Sequence, residues 1–407
     1  MLVRMAWRNL RRRPIQSLLA SMAVAAGLGV TIFMTNFQWG AWAGMIQDVV
    51  IATAGHVVVQ PAGFQESKDV KLLLEDTTAL AAKLKEVDPD SDVIRRVTMS
   101  GLIASPNNTV AVGLMGVEPT AEKAVSRMPS KIVQGGWFET DTENKVLVGI
   151  DLAKRLQVDV GDKVVITTSS KGELQARPFR VRGIFQSHST RTDSFFAMIP
   201  LTAAQKLLPE YNDPASQVAL LRDDLEVPEG LKAAVIAKVG AGPEVLEWSE
   251  ALPEIKSAEQ LDKAGGMVIF AFLGAIVSVG VLNVLLMSLF QRTRELGVML
   301  AIGMRPLNVA QLLFLEGALL GLVGAVLGVG LGWAATWPMA QWGVDLAMMA
   351  NQAPMGNGAM DTVIRSQFVV ERNLAFAFIF AAASGLSAAW PAIRAARLEA
   401  VDALRAT

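Results

Sequence analysis

Four stretches of this chain are apolar over the length of a bilayer crossing, and the polar segments fall into place around them. Residues 17–37, 267–290, 309–333 and 374–390 form apolar runs at or near the ~20 residues a helix needs to cross about 30 Å of hydrocarbon. Lipid offers the backbone no hydrogen-bond partner, so each run is expected to be a helix. With their flanks they predict membrane helices over 15–39, 265–290, 308–338 and 373–393. The first is expected to be a retained anchor, because its apolar region exceeds the ~15 residues of a leader and no small-residue cleavage site precedes a polar start. Ahead of it, Leu2, Val3, Ala6 and Leu10 share one helical stripe among Arg4, Arg8, Arg11, Arg12 and Arg13. This predicts an amphipathic helix over 1–14 along the inner membrane surface; a disordered basic tail is the alternative.

Between the first and second spans the period changes. Residues 39–52 read as helix, and 56–60 as an extended run ended by Pro61. Short runs rich in β-branched and apolar residues follow at 94–98, 109–117, 145–148, 163–168, 179–185 and 196–199, punctuated by Gly, Pro and Asn. Helical patterns at 76–86, 151–156 and 202–208 interrupt them, the last opened by Thr202 as a cap. The insert 40–264 is therefore predicted as a mixed α+β domain of two subdomains, with 218–245 returning from the second to the first. The segment 339–372, with Asn351, Pro354, Gly356, Asn357 and Gly358, predicts a partly ordered loop. The expected fold is a membrane protein of four transmembrane α-helices with a large α+β periplasmic domain between helices one and two.

Charge adds an orientation. Arginines precede the first span, Arg292, Arg294 and Arg305 lie between the second and third, and Arg394, Arg397 and Arg405 follow the fourth. All three places lie on one side of a four-span chain, which makes both termini, the hairpin 291–307 and the tail 394–407 cytoplasmic. Composition agrees: 52% hydrophobic and 18% charged residues with a mean hydropathy of +0.38 are too apolar for an ordinary soluble domain and too charged for a chain that is all span. A net charge of −1 gives no field for nucleic acid. With no cysteine, disulfides, thiolate nucleophiles and Cys-based metal sites are excluded. The two histidines, His56 and His188, are too few for a histidine metal site and read as structural side chains rather than a pH switch.

Motifs for catalysis are missing. No G-x-x-x-x-G-K-[ST], H-E-x-x-H, G-x-S-x-G or strand-borne G-x-G-x-x-G occurs, so the chain is not expected to be an enzyme or to hold ATP, Mg2+ or another cofactor itself. Gly317, Gly321, Gly324, Gly328 and Gly332 recur at spacings of four and three, a flat face for close helix packing. Asn283 and Ser288 read as helix-to-helix hydrogen bonders. Glu316 is costly in lipid and is expected to pair with Arg292 or the N-terminal arginines.

One motif remains, Q-R-T-R-E-L-G-V-M-L-A-I-G-M-R-P over 291–306, a charged-then-apolar helix pattern between two spans. Together with L-L-F-L-E-G-A-L-L-G-L-V-G-A-V-L-G after it, R-M-A-W-R-N-L-R-R-R-P near the start and W-P-A-I-R-A-A-R-L-E-A-V-D-A-L-R near the end, it resembles the FtsX-like permeases of ABC transporters, the MacB/FtsX/LolC superfamily of type VII subunits. The resemblance covers essentially the whole chain. It implies that this hairpin is a coupling helix docking on a separate ATPase subunit, which binds ATP and Mg2+, and that the permease works as two copies, identical or homologous. Within the insert, A-G-H-V-V-V-Q, V-L-V-G-I-D-L-A-K-R-L-Q-V-D-V-G-D-K-V-V-I and F-R-V-R-G-I-F-Q-S-H-S-T-R-T-D-S-F-F-A-M-I-P-L-T-A-A-Q-K-L-L look like the lipoprotein-releasing LolC and LolE permeases. That implies a LolD-like ATPase, a lipoprotein substrate and a periplasmic carrier. One departure stands out: the connection S-S-K-G-E-L-Q-A-R-P over 169–178, with a turn at Lys171 and Gly172, is short where the LolC type bears a protruding hook for the carrier.

On this resemblance, Arg292, Arg294 and Glu295 are expected to make charged rim contacts with the ATPase, and Leu296, Met299, Leu300 and Met304 to form the apolar docking face, with Gly303 ending the helix before Pro306. Met34, Phe37, Trp39 and Trp42 with Met267, Phe270 and Phe272 are expected to line an acyl-chain cleft at a dimer seam; an interfacial aromatic belt is the alternative. The implied activity is release of lipoproteins from a bacterial inner membrane, with MacB-like efflux and FtsX-like force transmission to a periplasmic hydrolase as the other readings. The want of a fused N-terminal ATPase speaks against the efflux reading.

Overall fold

A computed structural model describes residues 2–12, 14–67, 71–187, 189–222, 227–345 and 363–396. His188, Arg13, Arg397, Arg405, the loop residues Asn351, Pro354, Gly356, Asn357 and Gly358, and most of the closing motif lie outside them. The chain forms two units: one of Met1–Trp42, Glu259–Val344 and Ile364–Thr407, the other of Ala43–Ala258 with Asp345–Val363.

The first unit holds the apolar segments. Among the described residues, four helices are long and apolar enough to cross a membrane: Pro14–Thr53, Pro253–Gln291, Pro306–Trp342 and Val370–Arg394. Two of them correct the predicted limits. The first has 40 residues, about 60 Å at 1.5 Å per residue, so the span 15–39 and the separate helix at 39–52 are one element. The second begins at Pro253 and not at 265. Hydropathy marks only the lipid-soluble part of a helix; its hydrogen-bond ladder continues until a breaker stops it.

The glycine row on the third helix does what its spacing predicts. A Cβ on Gly317 would lie 2.4 Å from the Ala388 Cβ, and one on Gly321 2.7 Å from the Ser384 Cβ, both on the fourth helix. One on Gly324 would meet Val24 at 2.6 Å, on Gly328 Leu28 at 2.9 Å, and on Gly332 Ile32 at 2.7 Å, all on the first. The third helix thus packs backbone-close on two neighbours, where no larger residue fits. The second helix is the least enclosed, with Val268, Phe272, Ile276, Val279, Met287 and Phe290 exposed along it; Asn283 is also on its exposed surface. The N-terminal helix is Leu2–Arg12, with Ala6 buried and Val3 exposed.

The second unit is built on one sheet. Its strands are β1 (Val57–Pro61), β2 (Asp92–Ala104), β3 (Thr109–Val117), β4 (Ile132–Gly135), β5 (Lys145–Gly149), β6 (Lys163–Ser170), β7 (Glu173–Phe185), β8 (Phe196–Pro200), β9 (Gln217–Leu221) and β10 (Pro243–Glu247). They are ordered β10-β1-β9-β2-β3-β8-β5-β7-β4, with β6 pairing β2 and β7. The returning segment supplies β9 and β10, which flank β1 on its two edges, with Val57 opposite Leu220 and Glu247. Among the described residues four buried clusters pack on this sheet, and two of them are joined by one strand. One gathers Val97, Ile103, Leu114, Val148, Leu152 and Ile166; the other packs Val57, Val59, Val218 and Leu220 under Leu84 and Val235. Strand β2 contributes to both, with Val97 and Ile103 in the first and Val93 against the second, so the two predicted subdomains share a continuous sheet.

Two local expectations are corrected. Ser170 lies opposite Glu173, so the connection predicted over 169–178 is a two-residue turn, with Lys171 at φ 45° and Gly172 at φ 95°. Both turn residues have positive φ, the requirement of the turn whose twist matches its flanking strands, and the polar residues on either side are strand. Thr202 is not a cap: the N-cap position is Pro200, and the Thr202 hydroxyl donates to the Asp141 carbonyl.

Asp213 links the helix Thr77–Val87 to the sheet, accepting from the Thr78 N–H at 2.6 Å, from Arg95 at 3.1 Å and from Gln205 at 2.9 Å. Burial alone would raise its carboxyl, but these hydrogen bonds and the Arg95 charge hold it below its ordinary value. A carboxylate lowered in the folded state stabilises above the ~4 of a free aspartate and loses that contribution as pH falls through the lowered value. Below pH ~4, thermal unfolding of Asp213→Asn is therefore expected to depend less steeply on pH than that of the parent.

Candidate functional site

The hairpin between the second and third membrane helices contains the helix Thr293–Ala301. Its end is set by Gly303, at φ 101°: the Gly303 N–H donates to the Leu300 carbonyl at 3.0 Å and the Met304 N–H to the Met299 carbonyl at 3.0 Å. This is a Schellman motif, which L-residues disfavour at the glycine position. Pro306 then opens the third helix at its first turn, where its missing N–H costs nothing.

The direction of the hairpin reverses part of the expected docking face. Leu296 is fully buried, packed with Leu289, Val309, Leu313 and Ala392, and Met299, Leu300 and Met304 lie half-buried against the same cluster. The apolar stripe read as a docking face is therefore what seats the hairpin on its own bundle. Helical spacing identifies an apolar stripe but not its partner, and the nearest apolar surface is the base of the adjoining helices. Among the residues left exposed are Arg294, Glu295, Val298, Ala301, Ile302, Arg305 and Leu307, with Ile302 82% accessible.

Arg292 is also not a rim residue. It is 6% exposed, and one terminal guanidinium nitrogen donates to both Glu316 carboxylate oxygens at 3.0 Å. Its Nε reaches Glu295 at 3.4 Å. The pairing predicted for Glu316 is thus realised with Arg292, 24 residues earlier. Glu316 also accepts from Asn9 Nδ2 at 2.7 Å, a contact the sequence reading missed. Its signal was there: Asn9 lies three residues after the buried Ala6 on the inward side of the N-terminal helix. Close by, Gln16 Nε2 donates to Gln291 Oε1 at 2.8 Å, and the Ser17 hydroxyl to the Leu10 carbonyl at 3.0 Å.

The seven residues expected to line an acyl-chain cleft at a dimer seam lie on the first two membrane helices. Met34, Met267 and Phe272 are exposed, and none of the seven belongs to the buried clusters of this unit. Phe37 stacks on Phe33 of its own helix, and Phe270 meets Phe376 edge-on with centroids 5.5 Å apart. Trp39 sits between the Lys263 ammonium and the Arg372 guanidinium, each 4.3 Å from its ring centre, and Trp42 donates to Asp262. For these two, rings with polar partners fit the interfacial belt better than a cleft wall.

Two family models match the chain. A MacB-like periplasmic core domain covers residues 17–238, more than half of the 407, and an FtsX-like permease C-terminal domain covers 267–400. The chain belongs to the MacB/FtsX/LolC permease superfamily. These are ABC transporter permeases of the type VII class. The relatives are distant. This permease is 22% identical over 405 residues to the lipoprotein-releasing system transmembrane protein LolC of Xylella fastidiosa, covering 95% of this chain and 93% of that one. It is 23% identical over 359 residues to the macrolide export ATP-binding/permease protein MacB of Hyphomonas neptunium, covering 85% of this chain and 54% of the relative. For MacB of Nitrobacter winogradskyi the figures are 25% over 418 residues, 98% and 59%. The solved periplasmic region of MacB from Actinobacillus actinomycetemcomitans aligns with 52% of this chain and 98% of its own at a TM-score of 0.37 and 13% identity. Four apolar helices and a periplasmic α+β domain between the first two make this permease an inner-membrane protein.

Proposed function

We propose that this permease is the membrane subunit of an ABC transporter driven by a separate, LolD-like ATPase, and that it releases lipoproteins from a bacterial inner membrane toward the outer membrane. The observation that carries the coupling half of this reading is the hairpin itself. A short helix stopped by a Schellman motif is seated on the bundle by Leu296, while Arg294, Glu295, Val298 and Ile302 are left outside. An exposed charged and apolar surface on a firmly seated helix suits a groove on a soluble partner. ATP and Mg2+ belong to that partner, and this chain performs no hydrolysis. The hairpin and both termini are cytoplasmic, and two permease copies, identical or homologous, form the working unit. Closure of the ATPases rocks the periplasmic domains through the first two membrane helices.

The lipoprotein half rests on the LolC relative, which aligns over 93% of its own length. The two-residue β6–β7 turn offers no hook, so a periplasmic carrier is expected to dock elsewhere or on a sibling subunit. Efflux is the second reading, favoured by the MacB-like description of the periplasmic core model and the MacB relatives. FtsX-like transmission to a periplasmic hydrolase is the third.

Photo-crosslinking from the periplasmic unit in nanodiscs, with the ATPase co-expressed, separates them. Capture of a triacylated lipoprotein, released into solution on ATP addition, supports the proposal. A captured soluble hydrolase or macrolide-stimulated ATP turnover without lipoprotein capture overturns it.

A further inference from the structure

The coupling hairpin has two kinds of hold on the bundle, and they differ in what they specify. The cluster around Leu296 is apolar, and apolar contact is non-directional, so it resists separation more than sliding. The other hold is directional. Glu316 is 3% exposed on the third membrane helix and accepts bonds from two elements far apart in sequence: Arg292 at the start of the hairpin and Asn9 of the N-terminal helix, 307 residues away. A buried carboxylate with a charged and a neutral donor constrains angles as well as distances. Burying an ion pair is weak support for stability, since desolvation offsets most of the attraction, and its best-attested use is to select one register among several.

We propose that Glu316 is a positioning residue that sets the N-terminal helix and the coupling hairpin in one register on the third membrane helix. The surface offered to the ATPase and the base of the first membrane helix then move as one body. The idea rests on the coupling role proposed above, and it predicts more: the N-terminal helix is part of the transmission, not a passive membrane anchor. Asn9 is its link to the site, and the Gln16–Gln291 bond continues the same seam into the start of the first membrane helix.

The chain has no cysteine, so spin labels can be placed at will. Trp7→Cys on the N-terminal helix and Val298→Cys on the hairpin are exposed positions, at 49% and 42%. In the full chain in nanodiscs, without any ATPase, the distance distribution between them is expected to be narrow. Glu316→Gln is expected to broaden it about twofold, and Asn9→Ala, which leaves the ion pair intact, to broaden it as well. The exchange Arg292→Glu with Glu316→Arg is expected to narrow it again. An unchanged distribution in Asn9→Ala, a variant mild enough to fold, overturns the inference, as does an exchange that restores nothing while the protein stays monodisperse. Without labels and with the ATPase bound, Glu316→Gln is expected to lower the cargo response of ATP turnover about tenfold or more. If the parent binds no ATPase, the functional proposal fails while the distance measurement still decides this one.

Discussion

Ile302→Asp and Val298→Asp are expected to release the ATPase from this permease without unfolding it. Both side chains are exposed on the hairpin, at 82% and 42%, so an added carboxylate stays hydrated in the isolated permease. In the complex it is forced against the partner's groove, where an unpaired charge loses its water. At a hot-spot position that costs ~2 kcal/mol or more, about thirtyfold in affinity. Pull-down of the ATPase from detergent should fall accordingly, with the melting temperature of the permease alone unchanged. Leu296→Asp is expected to do the reverse of what its place in an amphipathic stripe implies. It buries a carboxylate among Leu289, Val309 and Leu313, so the permease itself should melt several degrees lower. Full ATPase binding by Ile302→Asp would show that the docking surface lies elsewhere.

Arg96→Met is expected to be the most damaging conservative-volume change in the periplasmic unit. Arg96 is fully buried, with Nε 3.0 Å from Glu122 Oε2 and a terminal nitrogen 2.7 Å from Glu122 Oε1 and 2.6 Å from the Ile51 carbonyl. Ile51 lies in the last turn of the helix Pro14–Thr53, whose Thr53 carbonyl accepts from Gln217 at 2.5 Å. Removing the guanidinium leaves the Glu122 carboxylate, 2% exposed, without its counter-charge, a loss of ~3–5 kcal/mol. For a unit of this size the unfolding temperature should fall by roughly 10 °C. Replacing the whole pair, Arg96→Met with Glu122→Leu, should recover most of it, because two apolar side chains need no desolvation. A double variant no more stable than the single one would mean that packing of the aliphatic stem, not the charge, is what Arg96 contributes. Arg96 thus ties a helix end to β2.

Much of the fold was legible in the residues, and the reason is locality. Membrane helices are recognised by apolar length, which each segment carries within itself, and all four were found. Thr109–Val117 matches its predicted strand because alternation and the flanking turn residues are equally local. The glycine row foretold close packing because only a missing Cβ lets backbones approach. Helix ends were less legible: hydropathy stops at the lipid boundary, whereas Pro14–Thr53 and Pro253–Gln291 run on beyond it.

The coupling site divides along the same line. By itself, the sequence determined that 291–306 is a helix in a hairpin, closed by glycine and reopened by proline, and that Glu316 needs a partner, since backbone preference and the cost of a charge in lipid are properties of the residues alone. Only the tertiary structure decided that Leu296 faces inward, that Arg292 is the partner, that Asn9 joins it, and that two cores share one sheet through β2. Those outcomes depend on which surfaces meet across up to 307 residues of chain, and periodicity records that a face is apolar without recording what it will meet.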